Sequence, residues 1–348
     1  MIHHRGHLRA LIALSFVLAA IAVTGGCDSP TSPRVPEWTA TSILDGTHLH
    51  GLAFGAGVWV VVAQQGKLAT STDLQSWTER ATHWTAADDI LNVRYANGVF
   101  VATGTDRSGN GHCIAVSSDG ISWTPGAVGF PVIRLGPLHY SHRLSLWFVS
   151  GRDEYGPVLL SSSDLVAWTP HDPGFGADPI ISITEGHGML MISGGSEKIG
   201  ISAAGASWSV HQLRHSDENV NDIDKVRFFD GVFVAIMHPD ASTVYRSVNG
   251  TSWTPVATGW PSREPSCTVW NCPDGPGGWV SIAQRNDGVI IATGVRGKMM
   301  LSRDLGASWV RLSSPVAANL NGIESDGRRF VVSGNYGTLL VSSQDAGP

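Results

Sequence analysis

The chain has 348 residues with 41 Gly and 13 Trp, and only 15% of its residues are charged, for a formal net charge of -6. An apolar fraction of 42% with so few charges excludes a disordered chain, and the length supports a sizeable core in one large or two small domains. The mildly acidic balance, with no basic run after residue 9, leaves no electrostatic footprint for nucleic acid.

Residues 1–26 carry Arg5 and Arg9, an uncharged apolar run from Leu11 to Val23, and then small residues up to Cys27. The run is too short to span a bilayer as a mature helix and suits a signal-peptide core. Val23-Thr24-Gly25-Gly26-Cys27 resembles the lipobox of bacterial lipoproteins, with Thr24 standing where that family prefers Leu. The resemblance implies cleavage after Gly26 and a lipid anchor on Cys27; the alternative is ordinary signal cleavage. Residues 27–35 then form a Ser/Thr/Pro tether, and the expected address is the bacterial cell envelope. Asp28 resembles the inner-membrane retention signal of some Gram-negative lipoproteins.

One short signature recurs through the rest of the chain, about every 45 residues. It runs from Ser71 through Asp73 to Trp77, Ser117 through Asp119 to Trp123, and Ser162 through Asp164 to Trp168. It continues from Ser202 through Ala204 to Trp208, Ser247 through Asn249 to Trp253, Ser302 through Asp304 to Trp309, and Ser343 to Asp345. Each copy follows β-rich runs set off by turn residues, such as Leu91-Asn-Val-Arg-Tyr95 and Gly98-Val-Phe-Val-Ala-Thr-Gly104. A unit therefore reads strand A, Gly turn, strand B, variable loop, strand C ending in Ser-x-Asp, turn, and strand D beginning at Trp. That is one blade of an all-β, seven-bladed β-propeller of four-stranded blades spanning residues 36–348. The last unit lacks its Trp, and Glu37-Trp38-Thr39 supplies it, so the N-terminal strand is expected to close the last blade.

The Ser-x-Asp-x-Gly-x-x-Trp pattern, fullest from Ser302 to Trp309, resembles the Asp-box (BNR) repeat of sialidases, sortilin-type receptors and photosystem II stability factors. In that family the boxes lie on the face opposite the ligand site, which implies a structural role for the column: the carboxylate accepts backbone N–H groups, Gly takes positive φ and Trp covers the hairpin. Replacement of the acid at Ala204 and Asn249, with Ser and Trp kept, agrees with such a role. The sialidase chemistry does not transfer with the fold. Arg34-Val35-Pro36 looks like an early sialidase motif but falls in the tether or outermost strand, and no Tyr/Glu pairing is recognisable.

With strand A on the axis, the D-to-A and B-to-C loops share the face away from the Ser-x-Asp turns. Candidate ligand residues there are His48, His50, Asp89, Asn221, Asp224 and Asn321 on the first set of loops, and Arg107, Arg152, Glu154, His238, Arg296 and Tyr336 on the second. Arg94, Arg227 and Glu324 stand on strand A and are expected to project into the funnel. No cofactor or metal site is expected. His48 and His50 lack a third ligand, and the run Asn219-Val-Asn221-Asp222-Ile-Asp224 lacks the full EF-hand ligand series and its terminal Glu. His139-Tyr-Ser-His142 reads as the A-to-B turn of the third blade.

The sixth unit is about ten residues longer than the rest. Its extra loop holds Cys267 and Cys272, whose spacing in an oxidising compartment favours a local disulfide, and Trp270, which is either an exposed recognition candidate or packed against the neighbouring blade. Cys113, in an apolar stretch, reads as a small buried residue. The functional expectation is a monomeric, membrane-anchored, non-enzymatic platform that binds a protein or glycan at the cell surface. The alternative is a carbohydrate-active enzyme, a sialidase-like glycosidase or a polysaccharide lyase, using the funnel's Arg, Glu and His residues.

Overall fold

The computed structural model describes residues 35–107, 112–213, 222–261 and 278–344. These residues form seven four-stranded antiparallel sheets, the blades of a β-propeller. In chain order the blades comprise residues 49–79, 90–126, 132–171, 180–212, 222–257, 279–312 and 320–342 with 38–42. Among the described residues no helix is long and apolar enough to cross a membrane. The expected lipidation of Cys27 and the Cys267–Cys272 disulfide fall outside the described residues.

Sequence pattern separates the strands by layer. Second strands such as Val58–Ala63, Val232–His238 and Phe330–Gly334 are nearly continuous apolar runs, because neighbouring blades cover both of their faces. Fourth strands such as Thr78–Glu79 and Thr124–Gly126 are short and largely exposed. The core accordingly lies between blades. Val101 and Ile114 of blade 2 pack with Leu135 and Trp147 of blade 3, and Trp59 and Val61 of blade 1 with Val331 and Leu339 of blade 7. Buried hydroxyls tie adjacent blades: Ser182 Oγ donates to Val226 O at 3.3 Å and accepts from Val226 N at 3.1 Å. Thr103, Ser150 and Ser333 donate to the carbonyls of Gly136, Ile180 and His50.

The ring is closed by the N-terminal strand. Trp38–Ser42 pairs antiparallel with Thr338–Ser342, with Trp38 opposite Ser342. Beyond this pair, Ser343 N donates to Glu37 O at 2.7 Å, and Glu37 N donates to Ser343 Oγ at 3.2 Å. This register corrects the seventh copy of the signature. In the other blades the Ser of the column lies across from the second strand, as Ser117 does from Phe100. In blade 7 that position is Ser342, which accepts from Phe330 N at 2.8 Å, so Ser343 lies one residue past the column. Asp345 lies outside the described residues.

The Ser-x-Asp turns are satisfied locally. Asp119 Oδ1 accepts from Ile121 N at 2.8 Å, Ser122 N at 2.9 Å and Ser117 Oγ at 3.0 Å. Asp73 and Asp164 repeat the arrangement, and these backbone donors hold all three carboxyls below the usual range. Asn249 substitutes its amide oxygen, accepting from Thr251 N at 3.0 Å and Ser252 N at 2.8 Å. Ala204 has no side-chain acceptor to offer, and its turn keeps the bond from Gly205 N to Ser202 Oγ, at 2.8 Å. Trp123, Trp208, Trp253 and Trp309 each donate Nε1 to the carbonyl of the turn glycine. That glycine sits at positive φ, as at Gly120 with φ 74.

Candidate functional site

The first strand of every blade borders a central channel. Hairpin geometry puts the D-to-A and B-to-C connections at one end of it and the Ser-x-Asp turns at the other. A cavity of about 510 Å³ opens toward the first end and a smaller one of about 230 Å³ toward the second; Arg94, Arg227 and Glu324 line both.

Two features of the strands build this lining. Most first strands carry a β-bulge near the channel mouth, which places Leu91, Ile181, Asp224, Val280 and Asn321 as extra residues in the ladder, with His50 in the wider shift of blade 1. All six line the larger cavity. Deeper in, equivalent register positions form a tier: Ala53, Arg94, His139, Thr184, Arg227, Ala283 and Glu324. The site is thus a tier of seven positions, of which two are guanidiniums and one a carboxylate.

Charge in the channel is uneven. Burial pushes Asp224 up to about 7, against the pull of neighbouring Lys225, so its carboxyl is partly protonated near neutral pH. Burial lowers Lys225 to about 8, helped by repulsion from Arg227. Arg227 falls to about 10 through burial and then repulsion from Arg94, and burial lowers Arg94 against the attraction of Glu324. All three remain mainly cationic at neutral pH. Near the second end, burial takes His139 down to about 4, leaving it neutral although Glu185 Oε2 lies 3.8 Å from its Nε2. Glu185 is instead engaged by Ser141 Oγ and Arg143 Nε, each at 3.0 Å.

Of the residues singled out from sequence, His50, Arg94, Asp224, Arg227, Asn321 and Glu324 come together in the channel. Asn321 is structural there: its Nδ2 donates to Leu49 O at 2.7 Å and Asn335 Oδ1 at 2.9 Å, joining blades 7 and 1. The other described candidates stand outside the cavity. His48 meets the exposed Tyr336 edge-on, with ring centroids 4.9 Å apart. Asp89 lies between blades 1 and 2, accepting from Gln65 N, and Arg296 N donates to Asn319 Oδ1. Arg107 and Glu154 are exposed, Arg152 pairs across the ladder with Arg134, and His238 ends its strand opposite Asp222. Asn221 and Trp270 lie outside the described residues.

Two expectations are corrected. Asp224, assigned from sequence to a D-to-A loop, belongs with Asp222 to the strand Asp222–Phe229. His139 lies within the strand Val132–Ser141 and lines the smaller cavity; the turn follows the strand, at residues 142–145. Lys225 and Asn92 were missed; the alternation that points to Arg227 and Arg94 also puts the residue two positions earlier on the same side.

No protein-family model matches the chain, and no curated protein matches it. Among solved structures, the chain is similar to "YCF48 bound to D1 peptide" at 14% identity and TM-score 0.66, covering 91% of this chain and 97% of that one. YCF48 from Cyanidioschyzon merolae is similar at 16% identity and TM-score 0.63, covering 88% and 98%. Virginiamycin B lyase from Staphylococcus aureus is similar at 10% identity and TM-score 0.69, covering 89% and 99%. At these identities the likeness concerns the fold: all are seven-bladed β-propellers.

Proposed function

We propose that the chain is an exported Asp-box propeller, anchored by lipid at Cys27, that acts as a non-enzymatic binding or assembly platform at the cell envelope. Its partner, a protein or a glycan, sits on the face formed by the D-to-A and B-to-C connections. The observation that carries this reading is the division of labour between the two ends. The Ser-x-Asp turns spend their polar groups on their own backbone, whereas the opposite end collects the channel mouth, the exposed Tyr155 and Tyr336, and the rim arginines Arg107, Arg134 and Arg152. A protein partner is favoured over a glycan because the YCF48 propeller has been seen holding a peptide.

One observation favours an enzyme as the second reading. Asp224, near 7, stands beside Lys225, near 8, and such a pair is matched to proton transfer at neutral pH. The lyase neighbour shows that this architecture supports catalysis. Probing peptide and glycan arrays with the full chain, alongside turnover assays on any glycan retained, separates the two. The platform reading expects retention without turnover; turnover lost in Asp224→Asn overturns it.

A further inference from the structure

We propose that the axial channel is a site for a small oxyanion, a molecule bearing a carboxylate or phosphate group, held between Arg94 and Arg227 with Lys225 nearer the mouth. This goes beyond the platform reading and does not depend on it, since a small ligand fills the channel whether or not a partner covers the rim.

The geometry rests on register. Arg94 pairs with Val101 and Arg227 with Val234, equivalent positions on the first two strands of blades 2 and 5, so the two guanidiniums share one level of the channel. Lys225 pairs with Ile236, two residues closer to the mouth on the same side of its strand. Glu324, facing Val331, is the acid at the arginine level. Among the described residues none of the three cations forms an ion pair with a carboxylate, and Arg94 Nε is buried without a hydrogen-bond partner. Glu324 itself accepts from Ser325 N at 3.1 Å.

Burying charge without a partner is costly, and proteins normally answer such groups with an opposite charge or hydrogen bonds. Here three cations face Glu324 and an Asp224 whose burial favours its protonated form. The deficit is negative charge, which an oxyanion supplies. Guanidiniums present planar forks of donors that match carboxylate and phosphate oxygens, and Lys225 adds a third cation from above. The cavity of about 510 Å³ lies in the range of small-molecule sites.

The test titrates the full chain, by calorimetry in a chloride buffer, separately with citrate, succinate and inorganic phosphate. Saturable binding of at least one is expected, weakened ~10-fold or more by Arg227→Gln, as loss of a charge-assisted hydrogen bond costs about 1.4 kcal/mol or more. Glu324→Gln removes a competing negative charge and is expected to tighten the same probe several-fold. Tighter citrate or succinate identifies a carboxylate ligand, and tighter phosphate a phosphate ligand. Absence of saturable binding by all three, unchanged affinity in Arg227→Gln, or weaker affinity in Glu324→Gln overturns the proposal. Should Arg227→Gln not fold, the direction of the Glu324→Gln change decides.

Discussion

Trp38 lies directly across the ladder from Ser342, joining the first described strand to the last. The pair occupies the position that Trp123 and Ser117 hold in blade 2, so the closing blade has the build of the others although its strands come from two distant pieces of chain. Removing residues 36–42 strips the outer strand from blade 7 and leaves an open sheet edge. With several ladder bonds lost at about 1 kcal/mol each, a drop in Tm of roughly 10 °C is expected by differential scanning calorimetry. An unchanged Tm contradicts closure by this strand.

The turn carboxylates act as acceptors and not as charges. Asn249 takes the same two N–H groups with an amide oxygen, at distances matching those of Asp119. Asp119→Asn is therefore expected to leave Tm near wild type, while Asp119→Ala lowers it. Ala204→Asp gives a turn without a side-chain acceptor its missing partner and is expected to raise Tm. Equal losses for Asp119→Asn and Asp119→Ala in thermal denaturation overturn the acceptor account.

Asp224 makes stability depend on pH. Its folded pKa, near 7, lies above the 3.8 of an ordinary aspartate, so between those values the folded state holds a proton that the unfolded chain has released. Its contribution is present at low pH and declines as pH rises from about 4 to about 7. His139, held near 4 in the fold, contributes the opposite slope below 6.5, so the wild-type curve alone does not isolate Asp224. The informative quantity is the difference between variant and wild type: Asp224→Asn should gain more stability at about pH 8 than at about pH 4. Identical Tm differences at the two pH values contradict the burial of this carboxyl.

Cys113 is buried, with its Sγ 3.7 Å from Val132 O, and burial pushes its thiol up to about 12. A thiol at that value is almost wholly protonated at neutral pH and unreactive. Iodoacetamide followed by mass spectrometry should leave Cys113 unmodified in the folded chain and alkylate it after denaturation. Alkylation under native conditions contradicts the burial.

How much was legible in the sequence depended on whether a residue obeyed the repeat. The Trp column, the number of blades and the closing role of Trp38 follow from spacing alone. Ser343 was placed one residue late because Ser343-Gln-Asp345 completes the Ser-x-Asp pattern and Ser342-Ser-Gln344 does not, and only backbone register chooses Ser342. Arg94, Arg227 and Glu324 were found because alternation on the first strand is readable. Lys225 is readable by the same alternation, two positions before Arg227, whereas His139 is not, since the register shifts that precede it leave no compositional mark. The inter-blade hydroxyl bonds of Thr103, Ser150 and Ser182 were equally silent, because a serine in a strand looks the same whether it bridges blades or faces water.

The central claim concerns which end of the propeller meets a partner, and site-specific photo-crosslinking of the full chain in its native cells tests it most directly. One crosslinker replaces Tyr336, 67% exposed on the rim, and another replaces the exposed Gln75 at the Ser-x-Asp end. The platform account predicts a discrete crosslinked partner from position 336 and none from position 75. A partner captured only from position 75, or from neither, contradicts it.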